Sequence, residues 1–417
     1  MAATQTNRTR PEDPGADLER RVGRLEFAEG ALARLRVPLR VAADRGREIL
    51  TDLDVLAVDI DGRLRTSLSV LECKTTKGQS GEPDRLLWLS GLQRLTGTQR
   101  AVLVRQTITR RGRTIAQALD LQIMDMQTLA SREEGHAWVP ERFAHIQGVG
   151  CEQAERRTDT QLKGLKHIPG GLVAFLRADS LLADSPECLN ALVALSSATR
   201  QGVVPNPTSQ VLASHALIAL LLAAIRDASR LDVVPASDLK ERVARAVTLG
   251  DPDNSQILEI LSQADELVQH QVRRIHDSYT RVGATRQDIA VASLKSIVAE
   301  PPGWLDRYIG LVTKLRANPA IARDLVQTAE LACFDARCGD LAYTEAAFDH
   351  LFTPEHRYLL VTAVKVLRDI VGDQLADTIG EFDDLDFRRA APAIPDRSAV
   401  QVEHAAPKLA HEAPPAE

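Results

Sequence analysis

Between Glu48 and Lys77 the chain reads EILTDLDVLAVDIDGRLRTSLSVLECKTTK. Two short apolar runs, DVLAVD and LSVLECK, flank Asp61-Gly62, which predicts two antiparallel strands joined by a tight turn. Such a hairpin is not stable alone and requires a larger sheet with covering helices. Its polar residues sit at special places: Asp54 opens the first strand, and Glu72 and Lys74 end the second. A period of two sets Glu72 and Lys74 on one face and the small Cys73 on the other. Two acids and a lysine at the ends of neighbouring strands suit a hydrated divalent cation and a water steered onto a phosphodiester.

The turn constrains this reading. A two-residue Asp61-Gly62 turn pairs Ile60 with Arg63 and sends Asp52 and Asp54 to the face opposite Glu72. A loop with an odd number of residues restores a shared face. The expected form is a three-residue loop, Ile60-Asp61-Gly62, with Gly62 left-handed, or an equivalent bulge within the strands. Asp52 lies on the same strand face as Asp54, and Asp54 is preferred because the apolar run starts directly after it. Glu48 is a weaker outer candidate that reads first as a solvated charge.

Around the hairpin, Leu18, Val22, Leu25 and Leu32 recur at helical spacing and predict a helix from Asp17 to Arg36. Glu29 completes that apolar face, where a carboxylate needs a reason. A second helix is expected from Glu82-Pro83-Asp84, with Leu86, Leu89, Leu92 or Gln93, and Leu95 turned inward. RAVLVRQ (Arg100 to Gln106) reads as an inner strand, RTIAQALDL as a helix and LQIMDMQTL as a closing strand. Arg110, Arg111 and Arg113 form a basic loop after the inner strand, suited to a phosphate backbone or simply solvated; Lys77 is a similar candidate.

From 131 to 390 strand-like runs give way to helical periodicity, broken at Pro169-Gly170-Gly171, Pro205-Asn206-Pro207, Gly250-Asp251-Pro252 and Pro301-Pro302-Gly303. The expectation is an α/β domain over 17–130, a mixed sheet flanked by helices, followed by an all-α domain over 131–390. Polar and Pro-rich ends at 1–16 and 391–417 are expected to be disordered.

The net charge of −6 is uneven: 17–130 holds 19 Lys/Arg against 15 Asp/Glu, leaving −10 for the rest. Metal bound by the acids would make the first region more attractive to phosphate, while the acidic helical region favours protein contacts. The five cysteines, Cys73, Cys151, Cys188, Cys333 and Cys338, have no zinc-knuckle or redox spacing and read as reduced and mostly buried. The ten histidines show no ligand spacing. His215 interrupts an apolar helix and reads as a hydrogen-bonded core histidine. The apolar run Ala216 to Ile225 is about half a membrane span and reads as a buried helix. No secretory leader is read at the start, so the expected address is cytoplasmic. No glycine-rich phosphate loop is present, which speaks against an ATP-driven motor.

The Asp/Glu-x-Lys tripeptide also occurs at Asp238-Leu239-Lys240, in a helix start with no strand before it, so the tripeptide alone has no meaning. At Glu72-Cys73-Lys74 the context differs, and 17–130 resembles the PD-(D/E)xK nuclease superfamily, close to Mrr-like restriction endonucleases and Holliday junction resolvases. The resemblance implies a restriction-endonuclease-like fold with catalytic positions Asp54, Glu72, Lys74 and, from the first helix, Glu29. It further implies Mg²⁺, with Mn²⁺ as a substitute, held by Asp54 and Glu72, and a role for Gln93 in placing the lysine or the DNA. Leu53 replaces the family's proline, and Gly97 stands where a Tyr often follows the Gln. The expected function is a Mg²⁺-dependent DNA endonuclease in bacterial defence or repair. The alternative is a catalytically inactive nuclease-fold module that binds DNA or a partner in a larger complex. Expected partners are DNA, a protein docked on the acidic helical region, and further copies of the chain as a homo-oligomer, with no membrane contact.

Overall fold

A computed structural model describes residues 14–43, 46–75, 81–136, 139–250, 255–283, 293–298 and 300–388. The expected disordered tail at 391–417 and Lys77 lie outside the described residues, as does most of the 1–16 segment. The first helix, α1, covers Pro14–Ala28, so 14–16 are helical.

α1 is shorter than the predicted Asp17–Arg36 helix. Gly30 adopts φ 105°, and the Gly30 and Ala31 amides donate back to Phe27 and Glu26. This is a Schellman stop, in which a glycine accepts the left-handed conformation and satisfies the last carbonyls. The chain then extends as β1 (Leu32–Ala43), an edge strand that tolerates Pro38.

β2 (Gly46–Ile60) and β3 (Thr66–Lys74) form the expected antiparallel pair, but β2 begins at Gly46, so Asp54 lies within the strand and does not open it. α2 (Glu82–Thr96), β4 (Arg100–Arg105), α3 (Arg110–Ala118) and β5 (Gln122–Asp125) follow. The closing strand is shorter than expected because Asp125 caps a further helix, α4 (Met126–Glu134), accepting from the Thr128 amide. The sheet order is β1-β2-β3-β4-β5: the first three strands are antiparallel, and β3, β4 and β5 are parallel. One face packs Val55, Ala57, Leu71, Cys73, Val102 and Val104 against Leu18, Val22 and Leu25 of α1 and Leu129 of α4. The opposite face packs Leu56, Val58, Val70 and Leu103 with Leu86, Leu89 and Leu92 of α2. Leu95 is 54% exposed, contrary to the inward position expected for it.

The remainder is helical. The helix Thr208–Arg230 is buried along almost its whole length and touches the helices Val149–Leu162 (α5), Ser185–Thr199, Leu305–Ala317, Pro319–Leu331 and Pro354–Val371. It is long and apolar enough to cross a membrane, yet 94% of its apolar window is covered by protein. Asp238, Leu239 and Lys240 lie in the helix Ala236–Leu249, as their context indicated. The helical part is not detached from the sheet. Phe27 stacks edge-on with Phe143 and Phe348, Gln327 donates to the carbonyls of Phe27 and Ala31, and the buried Arg34 of β1 pairs with Glu330 at 2.5 Å. All five cysteines are free, four of them buried.

Candidate active site

The hairpin closes through five residues, Asp61 to Arg65, with Ile60 opposite Thr66. The predicted three-residue loop is therefore corrected in length, while its odd parity stands. The left-handed residue is Leu64 (φ 65°), not Gly62. Leu64 is fully buried in the α2-side core, and that anchorage draws three more residues into the loop than a two-residue turn needs. Asp61 organises the loop: its carboxylate accepts the Arg63 and Arg65 amides at 2.8 and 2.9 Å.

Odd parity puts Asp54 and Glu72 on the same face. The β2–β3 ladder ends at Val55–Leu71, one residue short of Asp54. The β1–β2 ladder also skips a pair there, between Leu35–Val55 and Val37–Leu53, where Arg36 turns left-handed at φ 52°. Freed from both ladders, the Asp54 carboxylate accepts the Cys73 amide at 2.8 Å and the Lys74 ammonium at 3.2 Å. The same ammonium lies 2.8 Å from Glu72 Oε1, and Arg85 of α2 approaches that oxygen at 3.7 Å. Two carboxylate oxygens from neighbouring strands thus converge on one cation, an all-oxygen donor set of the kind that hard divalent ions prefer.

Electrostatics follow from burial. Glu72 is 3% exposed, and burial, together with the Asp54 charge, raises its pKa above the usual carboxylate value against the pull of Lys74 and Arg85. Burial disfavours the Lys74 ammonium, but Glu72 and Asp54 outweigh it and raise its pKa, so Lys74 is a fixed cation at neutral pH. Burial and the charges of Asp54, Glu19 and Glu72 push the Cys73 thiol well up, which keeps it an inert core group.

Glu29 does not join this cluster. Its carboxylate binds Arg132, at 3.2 Å from Nε, and His136 at 3.3 Å. The reason is topological. A short link makes α1 antiparallel to β1, β1 is parallel to β3, and so the first turns of α1 lie by the last residues of β3. The α1 acid at that end is Glu19, 7% exposed, which receives Arg36 Nε at 2.7 Å and acts on the Cys73 thiol. Glu26 confirms the polarity at the other end, pairing with Arg100 at the start of β4. Sequence reasoning missed Glu19 because it followed the apolar stripe past Gly30.

The other candidates separate. Asp52 and Glu48 are exposed on β2. Gln93 lies about 12 Å along α2 from Arg85, two turns toward its far end, so Arg85 is the α2 residue at the site. Arg110, Arg111 and Arg113 are not in a loop: they begin α3, capped by Thr109, and remain exposed, with Arg113 3.6 Å from Asp125. Comparison with family models, with curated proteins and with solved structures found no match for this chain.

Proposed function

We propose that this chain is a divalent-metal-dependent phosphodiester hydrolase acting on DNA, with its site at Asp54, Glu72 and Lys74. The observation that carries this reading is the convergence of Asp54 and Glu72 on a single cationic group, where both strand ladders around Asp54 are interrupted. Mg²⁺, or Mn²⁺ in its place, held by these carboxylates would supply positive charge to the scissile phosphate and acidify a bound water. Lys74 donates to the attacking water or to the phosphate oxygens, and its raised pKa keeps it protonated for that task. Arg85, half exposed beside Glu72, contacts the phosphate backbone. The exposed Arg110 and Arg111 on α3 extend the basic surface along the DNA.

A second reading is favoured by one feature: Glu72 is buried and already neutralised by Lys74, as in a structural ion pair. On that reading the chain is a binding module in a larger defence or repair complex. Nicking of supercoiled plasmid by purified protein with Mg²⁺, Mn²⁺ or EDTA, beside Lys74→Ala, separates the two. Metal-dependent nicking lost in the variant supports the hydrolase, and no cleavage of any DNA or RNA form supports the module.

A further inference from the structure

A second cluster stands apart from the strand site, in the helical part of the molecule. His145 lies in a tight turn between the bridged residues Phe143 and Ile146, Glu155 on α5, and His215 on the buried helix Thr208–Arg230. His145 Nε2 is 3.5 Å and His215 Nε2 is 2.7 Å from the same oxygen, Glu155 Oε1. One ligand atom from each of the three lies within 4.8 Å of the other two. We propose that His145, Glu155 and His215 form a binding site for a divalent transition metal of the zinc class, independent of the strand site.

Two imidazole nitrogens and one carboxylate oxygen are a donor set for zinc and its neighbours, whereas magnesium prefers oxygen alone. Metal bonds of about 2.0–2.1 Å in a tetrahedron place ligand atoms about 3.3 Å apart. The His145–Glu155 spacing already matches, and the His215–Glu155 contact need open by only about 0.6 Å.

The surroundings are those of an oriented metal site. His145 Nδ1 is 2.8 Å from Glu330, which fixes the ring with Nε2 toward the cluster, and Glu330 is held by Arg34 at 2.5 Å. Glu155 Oε2 takes Arg177 at 2.5 Å, leaving Oε1 for the two imidazoles. The Phe334 ring packs against both histidines, with centroids 4.3 and 4.6 Å away. The cluster opens onto a cavity of about 460 Å³. Three protein ligands and an accessible fourth side make the arrangement of a metal that keeps an exchangeable position. The arginines lining the cavity do not repel a cation outright, because each faces an acid: Arg34 with Glu330, Arg36 with Glu19, Arg40 with Asp179 and Arg177 with Glu155 and Asp159.

The test uses full-length protein stripped with a chelator and dialysed. Zn²⁺ is titrated calorimetrically, and Co²⁺ is followed by its visible spectrum. Expected are one tightly bound Zn²⁺ per chain, beyond any weaker ion at Asp54 and Glu72, and a Co²⁺ spectrum of a four- or five-coordinate nitrogen/oxygen site for that tight ion. His145→Gln and His215→Gln should weaken binding by more than the ~10–100-fold that a supporting group contributes, and Glu330→Gln by about that amount. Glu72→Gln should leave it unchanged. Wild-type protein without stoichiometric binding overturns the proposal, as does binding indifferent to both histidine variants or lost in Glu72→Gln. Should the variants fail to fold, the wild-type cobalt spectrum decides: an octahedral or thiolate charge-transfer spectrum refutes this ligand set.

Discussion

With its ammonium 3.2 Å from Asp54 and 2.8 Å from Glu72, Lys74 holds together two carboxylates that would otherwise repel each other. Removing it by Lys74→Ala should lower stability by about 1–2 kcal/mol without metal, since the contacts are charge-assisted but partly exposed. Thermal melting at pH 7 checks this, and added Mg²⁺ should restore part of the loss. Glu72 behaves oppositely. Its folded pKa is raised, so the native state binds the proton more tightly, and the ionised form costs stability as pH rises past the ordinary carboxylate range. Glu72→Gln should therefore melt at or above the wild-type midpoint at pH 7 without metal, and below pH 4 the two should converge. Glu29→Ala should leave metal-dependent cleavage within about twofold of wild type and cost no more than about 1 kcal/mol, as expected for a surface ion pair. A larger drop in activity would return Glu29 to the site. That Asp54, Glu72 and Lys74 share one face is legible in the sequence because strand alternation and loop parity are local rules. Glu19 and Arg85 were not: their approach depends on helix direction and on side chains reaching across the sheet.

At the scale of elements, most of the sheet was legible, and the errors fell at stops. α2, β4 and the hairpin follow their patterns, whereas β1 was absorbed into the helix before it. Leu32 continues the spacing of Leu18, Val22 and Leu25, but the left-handed Gly30 ends the helix before it. In LARLRVPLRV an alternation of arginines with apolar residues signals an edge strand directly after that glycine. No atom crowds a Cβ at Gly30, so Gly30→Ala isolates the backbone effect of φ 105°. It should cost about 1–2 kcal/mol, measured by urea denaturation, and an unchanged midpoint would mean that the helix end can rearrange. The histidines illustrate a different limit. His215 was correctly read as a hydrogen-bonded core residue, but its neighbours His145 and Glu155 come from other segments, and no spacing rule reaches them.

Across the whole molecule, the sheet and the helices share one core, and buried polar contacts cross between them. Chief among these is Arg34–Glu330. Although burial opposes it, Arg34 and His145 depress the Glu330 pKa to about 2. Its contribution is thus fully present above the ordinary value near pH 4.5 and is lost as pH falls toward 2. Glu330→Gln, which strands Arg34, should cost about 3 kcal/mol at pH 7, and the gap to wild type should narrow below pH 4.5 in urea titrations. A gap independent of pH would show that the contact is steric and not ionic. If Asp54, Glu72 and Lys74 form the metal-dependent site proposed above, purified protein nicks supercoiled plasmid. Wild type should convert supercoiled plasmid to nicked or linear forms with Mg²⁺ or Mn²⁺ and not with EDTA. Lys74→Ala should be slower by about 10²–10³-fold, the loss expected when one transition-state donor is removed. Metal-dependent cleavage that persists undiminished in Lys74→Ala, or wild type inert toward every nucleic acid with either metal, would contradict the assignment.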